Sequence, residues 1–392
     1  MRSICEVLPV QRGALHMSKK AVVAGHICVD ITPAIPGEKV SNLNEVIIPG
    51  KIVPAGDISI STGGAVASTG LAMKIFGTDV TLMGKVGKDN FADIIVSLLR
   101  QYGYEGDLLV SDEISTSYSI ILAIPGIDRV IFHNAGANDA FYLKDMDLEK
   151  IKEADLFHFG YPPIMKSMFE NDGAELVKTF KTVSEMGVLT SLDMAMVQEQ
   201  SDAGRADWNK ILSEVLPYTD FFVPSVEELL LMTDREKYHK ILERSTDGDI
   251  VEVISLEEDV KPLAEKCIAM GAKCVLIKCG APGLYYKTAE KGLAEKLSEK
   301  LGKDCSDWAG QEGFEASYIP GKVRSGLGAG DTTIGAFLAA ILQGYSMKRC
   351  LQLATATGAS CVETYDALGG LRSFEELEAR IDAGWEKNPV RI

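Results

Sequence analysis

No apolar run in the 392-residue chain reaches the ~18 residues needed to span a bilayer. The start, Met1 to Lys20, lacks the continuous apolar stretch and small-residue cleavage site of a secretion signal. A cytoplasmic protein with no membrane partner is expected. The eight cysteines form no Cys-x-x-Cys pair, and most fall in apolar runs where a free thiol packs as a small hydrophobe. The five histidines are scattered, with no two at ligand spacing on one predicted helix, which disfavours zinc. Positive charge is short as well. Forty Lys and Arg against 56 Asp and Glu leave a net charge of −16, a field that repels phosphate backbones, so no nucleic-acid partner is expected. Any phosphate must be held locally.

Familiar nucleotide and hydrolase motifs are missing too. The stretch Gly77 to Lys85 has the wrong glycine spacing for a Walker loop and runs into Val86. The strand Ala21 to Gly25 leads into His26-Ile27-Cys28-Val29-Asp30 without a Gly-x-Gly-x-x-Gly turn, and no Gly-x-Ser-x-Gly elbow exists. There is no internal repeat.

What is present is a regular alternation. Strands are predicted at Ala21 to Gly25, Val80 to Gly84, Asp155 to Phe159, Val188 to Leu192, Asp220 to Val223 and Cys274 to Lys278. Helical periods cover Gly63 to Phe76, Asn90 to Gln101 and Ala174 to Glu185. Strands alternating with helices imply crossover connections, hence one α/β unit whose mostly parallel central sheet has helices on both faces. Residues 31–61 and 114–135 break the rhythm. They hold strand-like runs at Glu45 to Val53, Asp57 to Ser61, Ser117 to Ile124 and Arg129 to His133, and should form a small separate sheet acting as a lid or a dimer contact. Residues 1–18 read as a tail, with Met17 as an alternative start, and 236–260 and 288–315 as charged surface insertions.

The densest chemistry lies in Ser325-Gly326-Leu327-Gly328-Ala329-Gly330-Asp331, which opens a helical run. Glycines at alternate positions let successive N–H groups converge on one point, and the following helix adds its positive end, so the segment is an anion cradle. Asp331 beside it is either a plain helix N-cap or a base that accepts a proton from an attacking hydroxyl; the residues alone leave both open.

Two segments together carry a resemblance. Thr62-Gly63-Gly64-Ala65, continuing to Gly84-Lys85-Val86-Gly87-Lys88-Asp89, and Gly328-Ala329-Gly330-Asp331 with Gly335-Ala336-Phe337, resemble in the right order the two signatures of the ribokinase-like, or phosphofructokinase B, family of carbohydrate kinases. The likeness covers residues from about 20 to 385, and makes 19–392 one kinase domain with a β-sheet lid. It implies ATP-dependent transfer to a hydroxymethyl oxygen of a small sugar. Asp331 would be the base, and the amides of Gly328, Ala329 and Gly330 the anion hole. Asp30, Gly63, Gly64 and Ser68 would bind the sugar, while Lys278, Gly280 and Gly283 would serve ATP; Asp30 could instead form a turn, and the latter three a plain hairpin, and Asn138, just after the second lid strand, could contact the sugar or be a solvated turn residue. Glu228 would serve Mg²⁺.

The pattern also departs from the family. Ser225 replaces the Asn that usually precedes the magnesium-side Glu by three positions, and Ser68 replaces an Asn that touches sugar. Ser325-Gly326-Leu327 replaces the usual Asp-Thr-Thr, which puts activation by a monovalent cation in doubt. His133, Asn134 and Asp193 could add contacts to a hydroxylated ligand or simply mark turns. A nucleoside kinase and a catalytically idle ligand-binding protein are the rival readings, and a homodimer through the lid is expected from exposed strand edges.

Overall fold

The computed structural model describes residues 19–390 except 107, 128, 246 and 247, so the expected tail and alternative start lie outside the described residues. Fourteen strands are found among them: β1 (Lys20–Gly25), β2 (Cys28–Pro33), β3 (Ile58–Gly63), β4 (Asp79–Met83), β5 (Lys85–Gly87), β6 (Leu109–Ser111), β7 (Tyr118–Leu122), β8 (Val130–Asn134), β9 (Leu156–Gly160), β10 (Leu189–Leu192), β11 (Phe221–Phe222), β12 (Cys274–Lys278), β13 (Gly283–Thr288) and β14 (Glu312–Ala316). Eight of them form the large sheet in the order β14-β13-β12-β11-β10-β9-β1-β4. From β4 to β12 every pairing is parallel; β13 and β14 add an antiparallel edge.

The main helices are α1 (Ala65–Ile75), α2 (Asn90–Gln101), α3 (Lys166–Glu185), α4 (Trp208–Val215), α5 (Val226–Thr233), α6 (Lys261–Ala269), α7 (Leu293–Leu301), α8 (Ala329–Leu342) and α9 (Met347–Cys361). Because side chains alternate across a strand, β1 feeds two cores. Ala21 and Val23 pack with Leu71 of α1, Phe337 of α8 and Leu353 of α9, whereas Val22 and Ala24 pack with Phe180 of α3, Ile211 of α4 and Leu229 of α5. Helices on both faces are what the near-continuous apolar strands demanded.

Four strands outside the large sheet make the separate small sheet expected to act as a lid, in the order β3-β2-β7-β8. Its register gives the two faces opposite characters. Ser61, Asp30, Ser119 and His133 lie directly across from one another and form a polar row; one residue further along, Ile60, Ile31, Ile120 and Phe132 form an apolar row on the other face. Ile60 and Phe132 are exposed.

Several expectations need correction. Glu45 to Val53 is not a strand: Asn42 and Glu45 close a short 3₁₀ turn at Leu43–Glu45, and Pro49-Gly50 interrupts the apolar residues before they can pair. Asp30 lies in the middle of lid strand β2 rather than at the end of the first strand. Residues 288–315 are not a mere insertion. They supply α7, whose Leu293 and Leu297 are buried one turn apart, and edge strand β14, with Trp308 buried between them. Within 236–260 the helix Arg235–Leu242 likewise buries Tyr238 and Ile241. The seven described cysteines are free and buried, and Cys5 lies outside the described residues.

Candidate active site

The glycine-rich segment folds as a left-handed cap followed by a helix. Gly328 has φ of 72°, and a Cβ there would lie 2.2 Å from the Ala367 methyl, so this position requires glycine for two reasons. Gly328 therefore caps α8, and Asp331 is the third residue inside the helix; the plain N-cap reading of Asp331 does not hold. One turn later, Gly335 lets α1 cross closely, because a Cβ would come within 2.8 Å of the Ala72 methyl and 2.9 Å of the Thr69 carbonyl. The close crossing brings Thr69 Oγ1 to 3.3 Å from the Asp331 carbonyl and 3.5 Å from its Oδ1.

Asp331 is buried, and the hydroxyl of Tyr161 donates to both its oxygens, at 2.7 and 2.8 Å. Burial raises the carboxyl above its ordinary range, while the Tyr161 hydrogen bond and the Lys278 ammonium oppose the rise. Tyr161 follows β9 with a left-handed backbone, φ 68°, a conformation costly for an aromatic residue and most often found where function requires it. Burial, then Asp331 and Asp193, push its phenol well up, so it stays a donor.

Lys278, the last residue of β12, donates to Asp193 Oδ1 at 2.7 Å from its place at the end of β10. A Cβ on Gly330 would lie 3.9 Å from the Lys278 Nζ, so the ammonium stands beside the amides of the cradle. Burial pushes the Asp193 carboxyl up to about 7 against the pull of Lys278. For Lys278 the burial penalty is outweighed by Asp193 and Glu228, which hold the ammonium above its usual value. Glu228 lies in the first turn of α5, where its Oε2 accepts the Ser225 N–H at 2.6 Å and its own N–H bonds the Ser225 hydroxyl. The Ser that replaces Asn thus makes a capping box, which leaves the second Glu228 oxygen without a capping partner. Asp193, Glu228 and Asp331 all bear on the Lys278 ammonium, but among the described residues no three such groups stand close enough together to hold a metal ion by themselves.

The residues expected on the sugar side gather where β1 passes into β2 of the small sheet. His26 Nε2 lies 3.2 Å from His133 Nε2, joining the exit of β1 to β8, and His133 Nδ1 lies 3.2 Å from Ser119 Oγ. Ser119 and the Cys28 thiol both bond Asp30. Burial first, then His133, keeps His26 neutral, and burial does the same to His133. Gly63 packs on Asp30, whose carboxylate would lie 2.2 Å from a Cβ. At Gly64, with φ of 87°, a Cβ would meet the His26 carbonyl at 2.5 Å. The His26 ring is 6.1 Å from that of Tyr161, which places the start of the small sheet next to Asp331 and its tyrosine.

Not every expected residue is free to bind. Asn138 is fully buried, and its amide is spent on the Ile27 N–H and carbonyl and on the Ala135 carbonyl, which fixes the hinge between His26 and Cys28. Ser68 is buried in the first turns of α1, its N–H bonded to the Gly64 carbonyl. Gly280 and Gly283 form the β12–β13 turn; Gly283 is required there because a Cβ would meet the Glu315 carbonyl at 2.2 Å. The sequence reading missed Tyr161, and it named Lys278 and Asp193 without pairing them. Their position at the carboxyl ends of the central strands β9, β10 and β12 was the available signal.

The family model for pfkB family carbohydrate kinases matches residues 19–372. The chain belongs to the pfkB family of carbohydrate kinases. Among its family relatives, a sugar kinase of Archaeoglobus fulgidus is 23% identical over 301 residues, covering 77% of this chain and 98% of the relative. The 2-dehydro-3-deoxygluconokinase of Thermoproteus tenax is 24% identical, covering 87% and 92% respectively. Among solved structures, Arabidopsis thaliana ribokinase complexed with ribose and ATP superposes with a TM-score of 0.68 at 20% identity, over 93% of this chain and 98% of that one. Fructokinase with bound ATP from Xylella fastidiosa gives 0.68 at 17%, over 94% and 99%. The fold is ribokinase-like.

Proposed function

We propose that this pfkB-family chain is an ATP-dependent kinase that phosphorylates a hydroxymethyl oxygen of a small sugar, with Asp331 as base. The observation that carries the reading is the placement of the buried Asp331 carboxylate on the first turn of α8, beside the Gly328, Ala329 and Gly330 amides and the Lys278 ammonium. An acceptor hydroxyl held over the cradle loses its proton to Asp331 as its oxygen bonds the γ-phosphorus. The bond from that phosphorus to the β–γ bridging oxygen breaks, with its electrons going to ADP. The cradle amides and Lys278 offset the charge on the transferring group from fixed positions, so little reorganisation is needed. Mg²⁺, held through Glu228, would supply further neutralisation of the phosphates.

On the sugar side, Asp30 accepts hydrogen bonds from sugar hydroxyls while Gly63 and Gly64 let the ligand lie against backbone. Ser119 and His133 extend the polar row across the lid. Asn138 supports this wall through Ile27, and Ser68, one turn into α1 from Gly64, would contact the sugar through its hydroxyl. Gly280 and Gly283 shape the turn beyond Lys278 on the nucleotide side. The apolar row Ile60, Ile31, Ile120 and Phe132 is the surface a second copy would cover in a lid-to-lid homodimer; light scattering that gives a monomer would refute that arrangement.

The test is coupled ADP release with MgATP across pentoses, hexoses, sugar acids and nucleosides. One strong sugar substrate supports the reading. Preference for adenosine or inosine would move the chain to the nucleoside kinases, and silence together with absent MgATP binding would make it an idle binder.

A further inference from the structure

The base of a sugar kinase faces a selectivity problem that the cradle does not solve. Water is smaller than any sugar hydroxyl and present at ~55 M, so a base open to water hydrolyses ATP without product. Asp331 is not open in this way. Only 6% of the residue is exposed, Thr69 lies against Oδ1, and the Tyr161 hydroxyl bonds both oxygens at once, where an acceptor hydroxyl must deliver its proton. Tyr161 is only partly buried, and its ring approaches His26 on the sugar side of the cleft, so a ligand entering between lid and base meets it first. Its left-handed backbone and the 3₁₀ turn of Pro162–Ile164 aim the ring across the cleft at α8.

We propose that Tyr161 is a specificity-determining residue that guards the base: its hydroxyl occupies the acceptor's place on Asp331, keeps water from it, and yields to a sugar hydroxyl. The inference rests on the kinase reading above. In the guarded state the carboxylate has a donor that is not an acceptor for phosphoryl transfer, because the phenol oxygen is fixed to a ring that cannot advance into the cradle. A bound sugar, held by Asp30 and the lid, replaces that donor with one that can react. If the guard is removed, water reaches the carboxylate. It gives its proton to Asp331, its oxygen bonds the γ-phosphorus, the bond to the bridging oxygen breaks, and ADP and inorganic phosphate leave.

The experiment compares wild type with Tyr161→Phe, which keeps the ring and loses the hydroxyl. Tyr161→Asn, a residue that tolerates the left-handed backbone, is the second variant if Tyr161→Phe melts early. Phosphate release from MgATP is measured without sugar, transfer is measured with the sugar found by the substrate panel, and MgATP binding is measured by calorimetry. The expected result is a sugar-free hydrolysis rate at least ~10-fold above wild type, MgATP affinity within ~3-fold, and return of hydrolysis to the wild-type level in Tyr161→Phe/Asp331→Asn. A wild-type protein that binds MgATP and phosphorylates its sugar, with Tyr161→Phe hydrolysing at the wild-type rate, overturns the guard and leaves the kinase reading standing. A wild-type protein that neither binds MgATP nor phosphorylates anything overturns both. A rise in hydrolysis that survives Asp331→Asn also overturns the guard, since the water would then not be using this base.

Discussion

Replacing Lys278 by Met should separate what this residue does for the fold from what it does for the reaction. The ammonium donates to Asp193 at 2.7 Å, and the side chains are 16% and 1% exposed, so solvent screens the pair little. Met fills much of the lysine stem but leaves three carboxylates, Asp193, Glu228 and Asp331, with no positive partner among those that bear on them. Breaking a buried pair from one side costs about 3–5 kcal/mol. A chain of this length unfolds with an entropy of about 0.8 kcal/mol/K, so the melting temperature should fall by ~4–6 °C. Asp193→Asn added to Lys278→Met removes the uncompensated charge and should recover about half of that loss or more. Catalysis should not recover. If Lys278 donates to the transferring phosphoryl group, turnover falls ~10²–10³-fold in the single variant and stays there in the double. Calorimetric melts and steady-state turnover decide the matter. A double variant that regains activity would show that Lys278 serves only to neutralise Asp193, and the phosphoryl role assigned to it would be wrong.

Three further outcomes follow from the structure. Gly330→Ala meets nothing closer than 3.8 Å and its backbone is not left-handed, so the fold should be kept or gain ~0.5–1 kcal/mol from the better helix former, while the new methyl invades the phosphoryl space and turnover collapses. Gly328→Ala, with φ of 72° and a 2.2 Å clash, should destabilise the fold itself; circular dichroism melts on both variants distinguish the positions. For pH, His158 is fully buried and held down to about 3 by burial and then Lys278, against an ordinary 6.5. The folded state therefore resists a proton that the unfolded chain takes up below pH 6.5. His158 contributes its full stability above that pH and loses ~1.4 kcal/mol for each unit below it, so His158→Gln should flatten the fall in urea-melt stability between pH 6.5 and 5 by ~2 kcal/mol. A parallel decline in both proteins would contradict a neutral buried His158.

The parts of this molecule legible in its sequence are those governed by local rules. The Asn90–Gln101 helix and the Cys274–Lys278 strand fall where periodicity puts them, and the glycines of 328–331 announce a backbone that must approach something closely. The Glu45 to Val53 error has a physical cause: apolar residues without a partner strand are not a strand, and Pro49-Gly50 ended the run before pairing. The edge strand Glu312–Ala316 was hidden by the opposite effect, since a strand rich in Glu at a sheet edge looks like surface. In the candidate site, Asp331 and the glycine segment before it could be picked out because they are contiguous in sequence. Tyr161 could not, and Asp193 could be named but not paired with Lys278, because these contacts exist only once separate parallel strands end near one another. Asn138 shows the reverse failure, a polar residue in the right neighbourhood whose every polar atom is spent on holding Ile27.

The central claim is that Asp331 takes the proton of the acceptor hydroxyl. Turnover of the best sugar substrate by Asp331→Asn, with melting temperature and MgATP affinity measured on the same preparation, tests it most directly. Asn keeps the shape and the Tyr161 contact but cannot accept the proton. The account predicts a folded, MgATP-binding protein whose kcat is ~10²–10⁴-fold lower. A folded variant that keeps more than about a tenth of wild-type turnover, well short of that loss, would contradict it.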